Sequence, residues 1–351
     1  MDDAFNIHAT LKRLVSGERL GEADAEALFE ALLNGELDEA QIGAVIALIQ
    51  CRGANIDELV GAARAMRRHV MPVHVPLEPD EVLLDTCGTG GATKTFNIST
   101  ATAFVLAAVE PCPGSGLTRV LVAKHGNRSR TGRGSAEILA ALGVNVEASP
   151  EVQARCLREA GVCFSFAMRH HPAMRHAVGA RRSVGFPTIF NLLGPLTNPA
   201  GADHQLLGVY HPDLVSVIAG ALARLGSVRA VVVHGAGGLD ECSTLGPNRV
   251  AWIEEGKVRE DEIDPASLGV VPPSIQSIQA EGLDHGVRLI SDVLAGRPGP
   301  AAEIVRLNAA VACVVSRAAA ALQEGWDRAD EAIGSGRARG VLKALARESQ
   351  A

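Results

Sequence analysis

The chain is poor in aromatic side chains, with eight Phe, two Trp and one Tyr among 351 residues. Its core must therefore be aliphatic. Ala, Val, Leu and Gly supply it, as in layered α/β proteins with close helix–sheet packing. No apolar run reaches the roughly 18 residues that a membrane-crossing helix needs. Met1-Asp2-Asp3-Ala4 offers no basic segment leading into an apolar run, so no signal peptide is expected. The seven cysteines are scattered, odd in number and without a C-x-x-C pair. That predicts reduced thiols in a cytoplasmic protein. A basic excess is missing too. The net charge of −7 argues against a nucleic-acid partner but leaves room for a local basic pocket.

A chain of this length suits one large or two unequal domains. The first seventy residues read as three short amphipathic helices. Leu28, Phe29, Leu32 and Leu33 share one helical face, and Gly35 is a natural stop. Asp38, with Gln41 three residues on, has the form of a capping box ahead of Ile42, Val45, Ile46 and Ile49. Asn55 caps a third helix whose apolar side is Ile56, Leu59, Val60, Ala63 and Met66. Pro72, Pro76 and Pro79 then mark a linker or hinge over residues 72–80.

Beyond it, short apolar strands alternate with helices. Strands are predicted at residues 82–84, 120–122, 144–146, 161–166, 206–210 and 230–233, with helices at 99–109 and 136–142. This alternation implies a mostly parallel sheet covered on both faces. Residues 249–258 read as a hairpin, and the last fifty residues as Ala-rich helices.

Four segments carry chemistry. The first, Gly88-Thr89-Gly90-Gly91, follows a strand and leads through Thr95 and Asn97 to a helix beginning near Ser99 and Thr100. Its glycines let backbone N–H groups approach an anion, and the helix adds its positive end. A P-loop is excluded because Thr93, not Gly, precedes Lys94, and the dinucleotide fingerprint also fails at Thr93. The second segment places Lys124, Arg128, Arg130 and Arg133 around His125, Gly126, Asn127, Ser129, Thr131 and Gly132. Four cations in an acidic protein suit a multiply charged phosphate ligand. The third, Asp240-Glu241 after an apolar strand, suits a hard cation such as Mg²⁺, although such pairs are usually only surface. The fourth holds His170, His171 and His176, with Arg181 and Arg182 following. Its spacing matches no common zinc motif, and a carboxylate pocket with Arg181 as its fork is preferred.

Together and in this order, these segments resemble the anthranilate phosphoribosyltransferases of tryptophan biosynthesis. The resemblance takes in Ala40-Gln41-Ile42, the glycine turn, residues 95–100, 124–129, 171–174 and 189–199, Gly208-Val209-Tyr210, residues 238–241 and Asn308-Ala309-Ala310. It implies a small α-helical domain (residues 1–72, with a helical excursion near 169–187) and a large α/β domain (residues 80–351). It also implies a homodimer, small-molecule substrates and Mg²⁺. In that family's terms Gly88, Thr89, Gly90, Gly91, Thr95, Asn97, Ser99, Thr100, Lys124, Arg128 and Ser129 bind phosphoribosyl pyrophosphate. Gly88, His125, Asn127, His171 and Arg181 line the anthranilate channel. Ser99, Asp240 and Glu241 hold the metal, and Lys124, Asp240 and Glu241 are the catalytic set.

The chain departs from the family in three places. Ala92 stands where Asp usually follows the glycine turn, within a shortened loop. The arginine-rich second loop is also short, so an added Arg is a candidate replacement for metal-borne charge. Pro187 stands where Arg is common. Two other readings stay open on the residues alone: a same-fold relative acting on another aromatic amine or a pyrimidine nucleoside, and a non-catalytic paralogue binding nucleic acid or another anionic partner.

Overall fold

A computed structural model describes residues 5–129 and 132–350. Four helices open the chain: α1 (Ile7–Val15), α2 (Glu22–Asn34), α3 (Glu39–Arg52) and α4 (Ile56–Arg68). The sequence pointed to three of them. α1 escapes because only Thr10 and Leu14 are buried, too narrow a stripe to show as periodicity. Gly35 ends α2 in the left-handed conformation. The capping box of α3 is complete: Asp38 Oδ1 accepts from the Gln41 N–H at 2.8 Å, and Gln41 Oε1 accepts from the Asp38 N–H at 3.0 Å. Asp38→Ala is expected to cost about 1 kcal/mol by losing this cap. The urea midpoint measures it, and a shift within error would remove the box from the account.

The remaining elements follow as β1 (Glu81–Gly88), α5 (Ile98–Ala107), β2 (Arg119–Gly126), α6 (Ser135–Ala141), α7 (Pro150–Ala160), β3 (Val162–Phe166), α8 (Ala167–His170), α9 (Arg175–Val184) and α10 (Ile189–Leu193). Then come β4 (His204–Gly208), α11 (Leu214–Arg224), β5 (Arg229–His234), the hairpin β6 (Asn248–Glu254) and β7 (Lys257–Ile263), and α12 (Leu283–Leu294), α13 (Pro300–Ser316), α14 (Leu322–Gly334) and α15 (Arg337–Glu348). The strand expected at residues 144–146 does not form. Val144 and Val146 are buried, but the Asn145 N–H donates to Ser349 Oγ and Asn145 Oδ1 accepts from the Glu147 N–H. Side chains satisfy that backbone, so no neighbouring strand is needed.

The sheet order is β3-β2-β1-β4-β5-β6-β7, parallel through β5 and antiparallel in the last two pairings. The architecture is a helical domain beside a large α/β domain built on this mostly parallel sheet. The order reverses at β1, which pairs with both β2 and β4. In open α/β sheets such a point opens a crevice at the strands' carboxyl ends.

One sheet face packs on α5 and α13. The other packs on α11 and shares a continuous core with the N-terminal helices, including Leu28, Phe29, Ile46 and Leu59. α9 joins that second core by packing on α2 and α3 from far along the chain. The proline-spaced segment is anchored. Met71 N–H donates to His170 O and Val73 N–H to Pro199 O.

Candidate active site

Gly88 ends β1 and Gly208 ends β4, directly paired in register. Asp240 crosses over both. A Cβ on Gly208 would lie 1.5 Å from the Asp240 carbonyl oxygen, and one on Gly88 2.6 Å from Asp240 Oδ2. Only glycine leaves this space, so the two strand ends seat the acidic turn. Gly90 and Gly91 are left-handed (φ 65° and 89°), and the Gly90 N–H donates to Asp240 Oδ2 at 2.9 Å. Thr93 ties the glycine turn to the same acidic turn: its Oγ1 donates to Gly237 O and its N–H to Gly238 O. Thr95 Oγ1 donates to Phe96 O. Asn97 precedes α5 without capping it and donates through Nδ2 to Arg133 O.

Beneath the turn lies a buried charge cluster. Lys124 Nζ donates to Thr86 O at 2.8 Å and to Ser99 Oγ at 3.0 Å. Asp85 is fully buried. Its Oδ1 accepts from the His125 N–H, and its Oδ2 has no partner. Burial raises the Asp85 pKa and lowers that of Lys124, while each charge opposes the other's shift. Burial also raises Asp240, and it drives Glu241 well above the ordinary range with the Asp240 charge adding to the push. Glu241 Oε2 is buried and unpartnered. Ser99, Asp240 and Glu241 line one small cavity, with Thr86 and Cys87 in its wall. The Thr100 side chain is buried beside it, with Oγ1 unpartnered.

Two carboxylates and a hydroxyl around an unpartnered oxygen fit a hard divalent cation that takes its other ligands from water or substrate phosphate. Among the described residues no three or more His, Cys, Asp or Glu gather as a metal site, at the histidine segment or elsewhere. His170 is structural there, bonded to Gln153 and to Met71 O.

A larger cavity of about 710 Å³ opens beside the glycine turn. Gly88, Thr89, Gly90, Gly91, His125, Asn127, Arg128 and Ser129 form one wall, and Arg181 stands in the other. His125 Nδ1 contacts Gly194 O at 3.2 Å, and its Nε2 meets His171 Nε2 at 3.3 Å. Burial lowers both histidines, His125 well below its ordinary value and His171 to about 4, so both rings are neutral near pH 7. The Arg181 guanidinium lies 5.2 Å from the Phe190 ring centroid, and Arg128 stacks over Phe166 at 5.4 Å and reaches Glu147 at 3.5 Å.

The structure thus brings most expected site residues to one end of the sheet. Thr100, Lys124 and His171 are buried behind the two cavities, and the half-buried Thr95 and Asn97 lie at their margin, outside the linings. Arg133 is not among the residues lining either cavity; it donates to Ala280 O, which anchors the second loop. Arg130 and Thr131 lie outside the described residues.

Several contributors were missed. Val178 and Phe186 line the larger cavity, as do Arg182 and Pro187, which the sequence flagged without a site role, because α9 and the turn after it swing over it. Asn308 is buried in α13. It accepts from the Cys242 N–H and donates to Cys242 O, clamping the residue after Glu241. A lone Asn in an Ala- and Val-rich helix was the available signal. Asp85 carried none beyond its place in a strand.

Comparisons with known proteins place this geometry. The sequence profile described as the α/β domain of a glycosyl transferase family matches residues 80–339, and that of its helical bundle domain matches residues 9–70. The anthranilate phosphoribosyltransferase of Syntrophotalea carbinolica is 42% identical, over 98% of this chain and 99% of that one. That of Phenylobacterium zucineum is 44% identical, over 98% of each. Among solved structures, the anthranilate phosphoribosyltransferase of Thermus thermophilus superposes with a TM-score of 0.87 at 39% identity, covering 97% and 99% of the two chains. The Saccharomyces cerevisiae enzyme in complex with phosphoribosyl pyrophosphate and Mg gives 0.86 at 26% identity, covering 98% of each.

Proposed function

Because the chain belongs to the anthranilate phosphoribosyltransferase family, we infer that it joins the amine of anthranilate to the ribose of phosphoribosyl pyrophosphate and releases pyrophosphate. The observation that carries this reading is the pairing of two cavities across the end of β1: one wide, with a glycine turn and cations, the other small and acid-lined.

Phosphoribosyl pyrophosphate lies along Gly88, Thr89, Gly90 and Gly91, with Asn97, Ser99, Arg128 and Ser129 completing its phosphate contacts. Thr100 and Lys124 support that surface from behind, with Thr95 at its margin. Anthranilate enters between Gly88, His125 and Asn127 on one side and Arg181 on the other, with His171 holding the His125 ring. Ser99, Asp240 and Glu241 would hold Mg²⁺, which when bound supplies positive charge against the departing pyrophosphate.

An aromatic amine is already nucleophilic, so little proton transfer is needed before attack. Neutral His125 and His171 suit that: they shape the channel without adding charge beside the amine. The difficult step is loss of pyrophosphate from the anomeric carbon. Lys124 offsets the acidic cluster, and the glycine turn presents fixed dipoles, so charge develops in a prearranged field. Seating both substrates between the helical and α/β parts positions the amine and excludes competing water. The reading includes a division at residues 1–72 and 80–351, a homodimer, a cytoplasmic setting and the second step from chorismate to tryptophan.

The test follows anthranilate fluorescence with phosphoribosyl pyrophosphate and Mg²⁺. Metal-dependent loss of signal is expected. No loss, with phosphorolysis of thymidine or uridine instead, would transfer the reading to a nucleoside phosphorylase. Arg181→Gln is expected to raise the KM for anthranilate about 10- to 100-fold, the equivalent of one charge-assisted hydrogen bond, with the KM for phosphoribosyl pyrophosphate little changed. An equal rise in both would remove Arg181 from the acceptor channel.

A further inference from the structure

A third cavity, of about 410 Å³, lies at the other end of the sheet. Residues 199–203 lead into β4 and 225–227 turn toward β5, so it faces the strands' amino ends, away from Gly88 and Gly208. Its outer wall is the segment joining the helical and α/β parts, residues 70–74. Its volume falls within the range of small-molecule sites, about 300–1,000 Å³.

The cavity holds one cation and one acid, and they do not pair with each other. Arg67, at the end of α4, opens into it and donates to two neutral carbonyls, Leu196 O at 2.9 Å and Leu225 O at 3.2 Å. Its charged neighbour is Arg64, which repels it; among the described residues no carboxylate pairs with it. The cavity's one acid, Asp203, is engaged with His204 Nδ1 at 2.8 Å. Much of the remaining wall is apolar, from Val73, Pro199, Ala202 and Leu225. An exposed arginine with no ion-pair partner among the described residues, at the cavity mouth beside apolar surface, favours a ligand carrying both features.

We propose that this hinge cavity binds a small carboxylate with an apolar body, its carboxylate on Arg67. The site is wired to the catalytic cavity. Pro195 lines both. Gln205, buried in the wall of the hinge cavity, donates to Pro195 O at 2.6 Å and to Cys87 Sγ at 3.1 Å, and Cys87 lines the catalytic cavity. An occupant pressing on Gln205 or on residues 70–74 therefore changes the space in which anthranilate sits, and anthranilate must change the occupant's affinity by the same factor.

Isothermal titration of the full chain with phenylacetate, with inorganic phosphate as an anion lacking an apolar body, tests the binding without recourse to activity. Saturable phenylacetate binding is expected. It should weaken at least about tenfold in Arg67→Gln. It should vanish in Ala202→Phe, which fills the cavity and keeps the charge, and persist in Arg181→Gln. No saturation by about 10 mM overturns the proposal. So does binding lost in Arg181→Gln but untouched by the other two variants, which would place the ligand in the catalytic cavity. Phosphate binding as tightly as phenylacetate overturns the apolar requirement. For the wiring, phenylacetate should change kcat/KM for anthranilate in the wild type and not in Ala202→Phe. Binding with no such change overturns the coupling, and failure of the anthranilate reaction itself would leave the titration standing.

Discussion

Glu241→Gln is expected to lower kcat/KM by about 10²–10³ while raising the melting temperature of the metal-free protein. Both effects come from one arrangement. Glu241 stands half-buried beside Asp240, and desolvation raises the pKa of both carboxyls, that of Glu241 well above its ordinary value. Its Oε2 has no protein partner. Two adjacent, partly desolvated carboxyl groups destabilise the fold until a cation joins them, and Lys124 offsets only part of that cost. Glutamine keeps the shape and cannot ionise, which removes about 1–3 kcal/mol of the cost of holding this carboxyl away from its ordinary ionisation. The same loss removes half of the acidic pair that would hold Mg²⁺. Thermal unfolding with and without Mg²⁺ reads the balance. Metal should stabilise the wild type strongly and the variant weakly. A variant less stable than the wild type without metal, or equally stabilised by it, would show that Glu241 is not a strained metal-facing group.

Gly208→Ala, one methyl group, is expected to abolish most activity, about 10²-fold or more, through misplacement of the acidic turn. The added carbon would fall 1.5 Å from the Asp240 carbonyl, so backbone has to move. Overpacking of this kind also costs about 1–3 kcal/mol. Gly340→Ala is the matched control. It sits in α15 with nothing within 4 Å of the added carbon, and helix propensity favours alanine. The control should keep full activity at equal or slightly higher stability. Activity per folded molecule, with folding checked by circular dichroism, separates the effects. A Gly208→Ala protein with ordinary activity would mean that the acidic turn is free to shift, contrary to its clamping by Gly90, Thr93 and Asn308.

Elements that depend on nearest neighbours in the chain were legible. The α3 cap, the left-handed Gly35, the strand-turn-helix around the glycine turn and the late hairpin are local decisions of backbone sterics and short-range hydrogen bonds. α1 was missed because its buried stripe is too narrow to show as periodicity, and residues 144–146 were misjudged for a different reason. Apolar spacing reports burial, and burial does not say whether a strand partner exists. The acidic turn was noticed as a motif, yet nothing in its spacing placed it over Gly88 and Gly208.

The sequence by itself determined the α/β class, the loops able to take an anion, the cations and carboxylates available, and, through its ordered motifs, the family resemblance. These follow from residue type and local order. Only the tertiary structure decided that Asp85 and Lys124 lie beneath the glycine turn, that α9 brings Arg181 across the cavity, that Arg133 is spent on Ala280, and that Asn308 clamps the acidic turn. Each joins residues far apart in the chain. Such contacts depend on strand order and on which faces share a core, and these are properties of packing that no local run of residues contains.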